Sequence, residues 1–295
     1  MKEFCYLNGE VVPLSEAKVS VLDLGMLRSF GIYEGITAVA GEPFHFDDHF
    51  DRFKASAEKL GLALAVDKES ARQAIRDLVA HNAPGAPRAS IRMLLTGGEA
   101  EGGIEHVEGR ETFYLIAERA EPLPAEWYEA GASLISQEHQ RFMPEAKTIN
   151  YITAVIAQRA RKGAQAAEVL YHAGGNVLEC ATSNVFIVKD GVVITPRENI
   201  LPGITRKVTL ALAQEAGYPV EERVVTLEEL FTADEAFITS SFKDIVPVVS
   251  VDGKMIGSGT PGHVTRDLME RFVQELSNTK RVVTRNQLAT VVTSH

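Results

Sequence analysis

The clearest pattern along the chain is a three- and four-residue apolar step between residues 47 and 60. Phe46, Phe50, Phe53, Ala57 and Leu60 recur at helical spacing, Asp47 or Asp48 is placed to cap the start, and Gly61 to stop it. A second amphipathic helix is predicted from about Asp67 to His81, with Ile75, Leu78 and Val79 on its apolar side. Strand patterns fall at Ala89–Thr96, Thr112–Glu118, Ser133–Gln137, Glu168–His172 and Phe237–Ser241, and Val19–Leu22 is a further short apolar run. Three hairpins are marked by turn residues that accept positive φ: Asn8-Gly9 between Phe4–Leu7 and Glu10–Val12, Asp190-Gly191 between Val185–Val188 and Val192–Thr195, and Asp252-Gly253 within Val246–Ile256. Helices are predicted over Ile152–Lys162, from Gly203-Ile204-Thr205 to about Ala216, and along the Val264, Leu268, Phe272 stripe, and Thr226-Leu227-Glu228-Glu229 has capping-box spacing.

This mixture of hairpins and helices predicts an α+β (mixed α/β) fold rather than a doubly wound sheet, because no GxGxxG opens a βαβ unit. The aperiodic stretch 119–127, with Pro122 and Pro124, divides a smaller N-terminal domain at 1–118 from a larger one at 128–277. The tail at 278–295 carries no assignable pattern.

Composition narrows the function classes. With 30 Lys and Arg against 40 Asp and Glu the net charge is −10, which argues against nucleic acid as a partner. Cys5 and Cys180 form no CxxC pair, so neither a metal site nor a disulfide framework is expected, and both read as buried thiols. The start of the chain lacks a secretory apolar region and no apolar run is long enough to cross a membrane, which points to the cytoplasm.

Several segments carry chemistry that converges on a phosphorylated, amine-binding cofactor. Lys147 precedes a helix in Pro144-Glu145-Ala146-Lys147-Thr148-Ile149-Asn150-Tyr151 and offers an amine; Glu179 offers a carboxylate for a ring nitrogen. Leu201-Pro202-Gly203-Ile204-Thr205-Arg206 is a loop entering a helix, where free N–H groups favour an anion, and Thr239-Ser240-Ser241 ends a strand with three hydroxyls. Arg52 lies on the striped helix. Taken singly each has an ordinary reading: a surface lysine, a turn, a solvated glutamate, a loop serine, an exposed arginine.

In their order these segments, with Val21-Leu22-Asp23-Leu24-Gly25, Tyr33-Glu34-Gly35-Ile36 and His49-Phe50-Asp51-Arg52-Phe53, resemble the class IV aminotransferases, the fold-type IV pyridoxal 5'-phosphate enzymes, over nearly the whole chain. The resemblance implies two domains with the cofactor between them, and a homodimer in which the partner's N-terminal domain helps close each site. It implies Lys147 as the residue that binds the cofactor covalently and moves the proton. Glu179 would pair with the pyridine nitrogen, and Arg52, Thr205, Ser240, Ser241 and the Ile204 backbone would hold the phosphate. The reaction implied is exchange of an amino group between an amino acid and a 2-oxo acid.

Within the family the motifs divide. The branched-chain pattern has an aromatic where Arg28 stands, a tyrosine where Ser90 stands and a small-residue turn where this chain has Thr239–Pro247. The usual Arg-x-His carboxylate trap of D-amino-acid transaminases is also missing, and the loop reads Gly97-Gly98-Glu99-Ala100-Glu101. Arg28 and Arg92, with Tyr33 orienting the substrate, resemble the replacement trap of non-canonical D-amino-acid transaminases; the ordinary reading is a structural ion pair for Arg92 and a place on the dimer surface for Arg28. The implied substrates are D-amino acids with 2-oxoglutarate or pyruvate. The alternatives are an L-branched-chain aminotransferase, which apolar Leu24, Met26 and Met93 leave open, and an aminodeoxychorismate-type lyase.

Overall fold

The computed structural model describes residues 3–292. Met1 and Lys2, which open the expected N-terminal domain, and the last three residues of the tail lie outside the described residues. The chain divides into two compact units. The first takes Met1–Glu121, Ala146–Asn150 and Glu275–His295, and the second Pro122–Glu145 and Tyr151–Gln274. The break after Glu121 falls inside the stretch 119–127. The short segment that holds Lys147 belongs to the first unit, although sequence order alone puts it in the second.

The first unit contains β1 (Phe4–Leu7), β2 (Glu10–Pro13), α1 (Leu24–Arg28), β3 (Gly31–Val39), β4 (Glu42–Pro43), α2 (Phe46–Leu60), α3 (Lys68–Asn82), β5 (Arg88–Thr96) and β6 (Thr112–Arg119). Its strands form one sheet in the order β2-β1-β6-β5-β3-β4, and the pairings are antiparallel. Asn8 and Gly9 both have positive φ, as a primed hairpin turn requires. Side chains alternate across the sheet. Ala89, Ile91, Met93 and Leu95 of β5 point into a core with Phe46, Phe50 and Phe53 of α2 and Ile75 and Leu78 of α3. Full burial of each of these phenylalanines contributes about 2–3 kcal/mol.

One sequence expectation needs correction here. Helix α2 starts at Phe46, which the core demands, so Asp47 and Asp48 lie inside the first turn rather than at the cap; His45 takes the cap position with φ 48° and no side-chain cap bond. The acidic pair still favours the helix N-terminus through its dipole. The short apolar run Val19–Leu22 forms no regular element. It is loop and turn, with Val21 and Leu22 exposed. Strand β3 went unread because it is buried on both sides through most of its length and shows no alternation.

The second unit contains α4 (Glu126–Glu129), β7 (Ala132–Glu138), α5 (Ile152–Gly163), β8 (Glu168–Ala173), β9 (Asn176–Cys180), β10 (Asn184–Lys189), β11 (Val192–Thr195), α6 (Ile204–Glu215), β12 (Val220–Glu222), β13 (Val225–Thr226), α7 (Leu227–Phe231), β14 (Glu235–Ser240), β15 (Asp244–Val251) and β16 (Lys254–Met255). Helix α8 (His263–Val292) begins in this unit and runs on through most of the stretch where the sequence carried no assignable pattern. The strands form a mixed sheet, β12-β11-β10-β14-β15-β7-β8-β9-β13, with β16 paired to β15. One face packs Leu134, Leu170, Ile187, Ile238 and Val246 with Leu230 of α7. On β10 and β14, Phe186 stacks on Phe237 at 4.7 Å. The capping box at Thr226 and Glu229 forms as the spacing predicts. Cys5 and Cys180 are both buried free thiols.

Candidate active site

In the first unit, β3 presents neighbouring residues to opposite faces of the sheet. Tyr33 and Gly35 point one way, and Glu34 points into the core. Residues Lys147–Ile149 lie along the edge of β3. The Tyr33 N–H donates to the Lys147 carbonyl at 2.9 Å, and the Ile149 N–H to the Gly31 carbonyl at 3.0 Å. The Lys147 N–H donates to Ser56 Oγ on α2 at 3.2 Å, and Lys147 Nζ lies 4.5 Å from the centre of the Tyr33 ring. A cation over an aromatic face is favoured by the ring quadrupole.

On the core side, Arg52 grips Glu34 with two parallel bonds, Nε to Oε1 at 2.8 Å and Nη2 to Oε2 at 2.7 Å. His49 Nδ1 stands 2.8 Å from the same Oε2. Burial by itself would raise the Glu34 carboxyl, but the charge of Arg52 and the bonds from His49 and Arg52 outweigh it and bring the pKa down to about 2. Burial lowers the His49 pKa, its bond to Glu34 opposes this, and the positive charges of Arg52 and Lys147 push it lower still. A neutral His49 with its proton on Nδ1 satisfies the bond to the Glu34 carboxylate.

Arg92 pairs across the sheet with Gly35, so it shares the face that carries Tyr33. Its Nη2 lies 2.9 Å from Glu118 Oε1, with the two side chains 49% and 47% exposed. Arg28 is exposed at the end of α1, and its Nη1 donates to the Leu27 carbonyl at 2.7 Å. Of the three apolar residues weighed for a branched-chain pocket, Leu24 and Met93 are buried and Met26 is exposed.

In the second unit, Glu179 is buried near the end of β9 rather than solvated. It accepts from Arg141 Nη1 at 3.2 Å and from the Leu201 N–H at 3.0 Å. Asn184 Nδ2 donates to the Leu201 carbonyl at 2.9 Å, and Asn184 is the cross-strand partner of Thr239. The loop into α6, the acid Glu179 and the hydroxyl-bearing end of β14 are therefore tied together. Gly203 caps α6 without a side-chain cap bond, and a Cβ there would come within 2.0 Å of Asn184 Oδ1. A side chain there would force Asn184 or the loop to shift.

The donor set suits a phosphate monoester. A helix N-terminus with no side-chain cap carries Ile204 and buried Thr205, Ser240 ends β14 and Ser241 follows it. Among the described residues the buried Thr239 Oγ1 has no hydrogen-bond partner.

The class IV amino-transferase family matches residues 31–251, three quarters of the chain. The chain belongs to the class IV aminotransferases. That family consists of pyridoxal phosphate enzymes. This aminotransferase is 37% identical over 276 residues to a putative branched-chain-amino-acid aminotransferase of Methanocaldococcus jannaschii, covering 90% of this chain and 94% of that one. It is 32% identical to a D-alanine aminotransferase of Listeria monocytogenes, covering 92% and 95%. Among solved structures it superposes on the branched-chain amino acid aminotransferase of Escherichia coli. The TM-score is 0.85 at 28% identity, with 93% and 94% of the chains covered.

Glu34 and His49 stand in the family motifs of this aminotransferase without an assigned role, and Ser56, Arg141 and Asn184 were not singled out from its sequence. A signal existed for three of them. His49 and Ser56 fall on the same helical stripe as Phe46 and Phe53, and a polar residue on an apolar stripe needs a buried partner, which for His49 is Glu34. Arg141 and Asn184 gave none.

Proposed function

We propose that this aminotransferase exchanges the amino group of a D-amino acid with a 2-oxo acid, 2-oxoglutarate or pyruvate, and that Lys147 carries the covalent and proton-transfer work. The observation that carries the reading is Arg92 on the same sheet face as Tyr33, whose ring holds the Lys147 amine. A guanidinium there can grip a substrate carboxylate by exchanging Glu118 for it, since an exposed ion pair is weak. Arg28 is the second arm of the trap, and Tyr33 orients the substrate.

Pyridoxal 5'-phosphate supplies a carbonyl that takes up the substrate amine and a ring that accepts the electron pair freed at the α-carbon. Lys147 would hold the cofactor through its ε-amine, and the same amine would move the proton from and to the substrate α-carbon. Glu179, fixed by Arg141 and the Leu201 N–H, keeps the pyridine nitrogen protonated. The Ile204 backbone, Thr205, Ser240 and Ser241, with Arg52, would hold the phosphate.

An L-branched-chain activity is the second reading, favoured by the Methanocaldococcus jannaschii relative and the solved branched-chain structure. A homodimer is part of the proposal. Ile152, Val155 and Ile156 make an exposed apolar stripe at i, i+3 and i+4 on α5, which a second copy would cover.

The test is the first half-reaction. Cofactor-loaded protein is mixed separately with D-alanine, D-glutamate and L-leucine while the cofactor's visible absorption is followed. Fast change with the D-amino acids alone supports the proposal. Fast change with L-leucine alone replaces it with the branched-chain reading.

A further inference from the structure

The hairpin between β14 and β15 turns through Ser241, Phe242 and Lys243, with Asp244 at φ 57° closing it. A lysine in such a turn ordinarily extends into water. Lys243 instead folds inward, with its side chain 15% exposed, and its Nζ lies 2.7 Å from Thr182 Oγ1, 3.0 Å from Glu168 Oε2 and 3.4 Å from Ser183 Oγ. Glu168 is buried on β8 and also accepts from the Thr182 and Ser183 hydroxyls. The backbone of Lys243 is committed too: its N–H reaches Ser240 Oγ at 3.3 Å, and its carbonyl accepts from the Tyr128 hydroxyl at 3.0 Å.

Residues 181–183 form the turn that joins Glu179 on β9 to Asn184 on β10. The Lys243 ammonium thus connects the turn behind Glu179 to the turn that carries Ser240 and Ser241. A buried ion pair seldom gains stability over apolar residues of the same shape, because desolvation offsets the attraction. What it fixes is position, through directional bonds that an apolar contact lacks.

We propose that Lys243 is a positioning residue. With Glu168, Thr182 and Ser183 it locks the Ser240–Ser241 turn in place and so sets the affinity of the protein for the phosphate end of its cofactor. The inference rests on the reading of Ser240 and Ser241 as phosphate-holding residues.

The experiment compares the full-length chain, stripped of cofactor, for equilibrium binding of pyridoxal 5'-phosphate and of pyridoxal, which lacks the phosphate. Wild type is measured beside Lys243→Met, Lys243→Arg, the pair Lys243→Met with Glu168→Gln, and the pair Ser240→Ala with Ser241→Ala. Removing Lys243 alone leaves the buried Glu168 charge uncompensated and risks the fold, and the double variant removes both charges together. The preference for the phosphorylated form is expected to fall about tenfold or more in the double variant, the scale of one lost bond to a charged group. Lys243→Arg is expected to restore part of it. A merely structural role would weaken both compounds alike and leave the preference unchanged. Retention of the wild-type preference in the double variant, while the serine pair loses it, overturns the inference and leaves the phosphate site standing. Retention by the serine pair as well overturns the phosphate reading and this inference with it.

Discussion

Tyr33 holds Lys147 twice, through its backbone N–H on the Lys147 carbonyl at 2.9 Å and through its ring, 4.5 Å from Nζ. The first contact fixes the chain at Lys147, and the second sets the amine over the aromatic face. Because the bonds from the Tyr33 N–H to the Lys147 carbonyl, from the Ile149 N–H to the Gly31 carbonyl and from the Lys147 N–H to Ser56 Oγ do not involve the lysine side chain, position and chemistry are separable at this residue.

Lys147→Ala is therefore expected to fold normally and lose turnover. Removing the group that moves the proton lowers kcat by at least about a thousandfold, within the range seen for general acid–base groups. Circular dichroism melting checks the fold, and the visible spectrum checks the loss of covalently held cofactor. A variant that kept both turnover and the spectrum would remove Lys147 from the mechanism.

Glu34→Gln breaks a buried pair and leaves the Arg52 guanidinium without its carboxylate, at a cost of about 3–5 kcal/mol. The sign of the pH dependence follows from the folded carboxyl lying at about 2, below its usual 4.5. The stability Glu34 contributes is present above pH 4.5 and lost as pH falls toward 2. His49, lowered below its usual 6.5, adds a loss that starts at higher pH. Urea midpoints measured from pH 7 to pH 3 are expected to fall less steeply for Glu34→Gln than for wild type. Parallel curves would show that folding leaves the Glu34 pKa unshifted.

Arg92→Ala separates substrate from cofactor binding. The exposed pair with Glu118 is worth about 0–1 kcal/mol, so the melting temperature should barely move. KM for the amino acid is expected to rise by about tenfold or more, the loss of a charge-assisted carboxylate contact, with cofactor affinity unchanged. An unaltered KM would leave Arg92 as a surface ion pair and nothing more.

Gly203→Ala places a methyl group 2.0 Å from Asn184 Oδ1. Either the α6 entrance or Asn184 must move, and with them the Leu201 link to Glu179. Cofactor is expected to dissociate faster, and the double variant with Asn184→Ala should recover part of the lost affinity. No recovery would mean that the strain falls elsewhere in the loop.

The sequence by itself determined what depends on neighbours along the chain. Helices α2 and α3, the Asn8-Gly9 and Asp190-Gly191 hairpins, the capping box at Thr226 and the loop into α6 follow from periods of two and 3.6 and from turn chemistry, all within a few residues. The motifs around Lys147, Glu179 and Thr239 were legible as words in a familiar order. Only the tertiary structure decided that Lys147 docks on the edge of β3, that Glu34 lies beneath it gripping Arg52, and that Arg92 shares a face with Tyr33. The pairing of Lys243 with Glu168, 75 residues away, is of the same kind. These contacts depend on sheet register and burial, which join residues distant in sequence, and a carboxylate reads the same in a one-dimensional string whether its partner is an arginine or water.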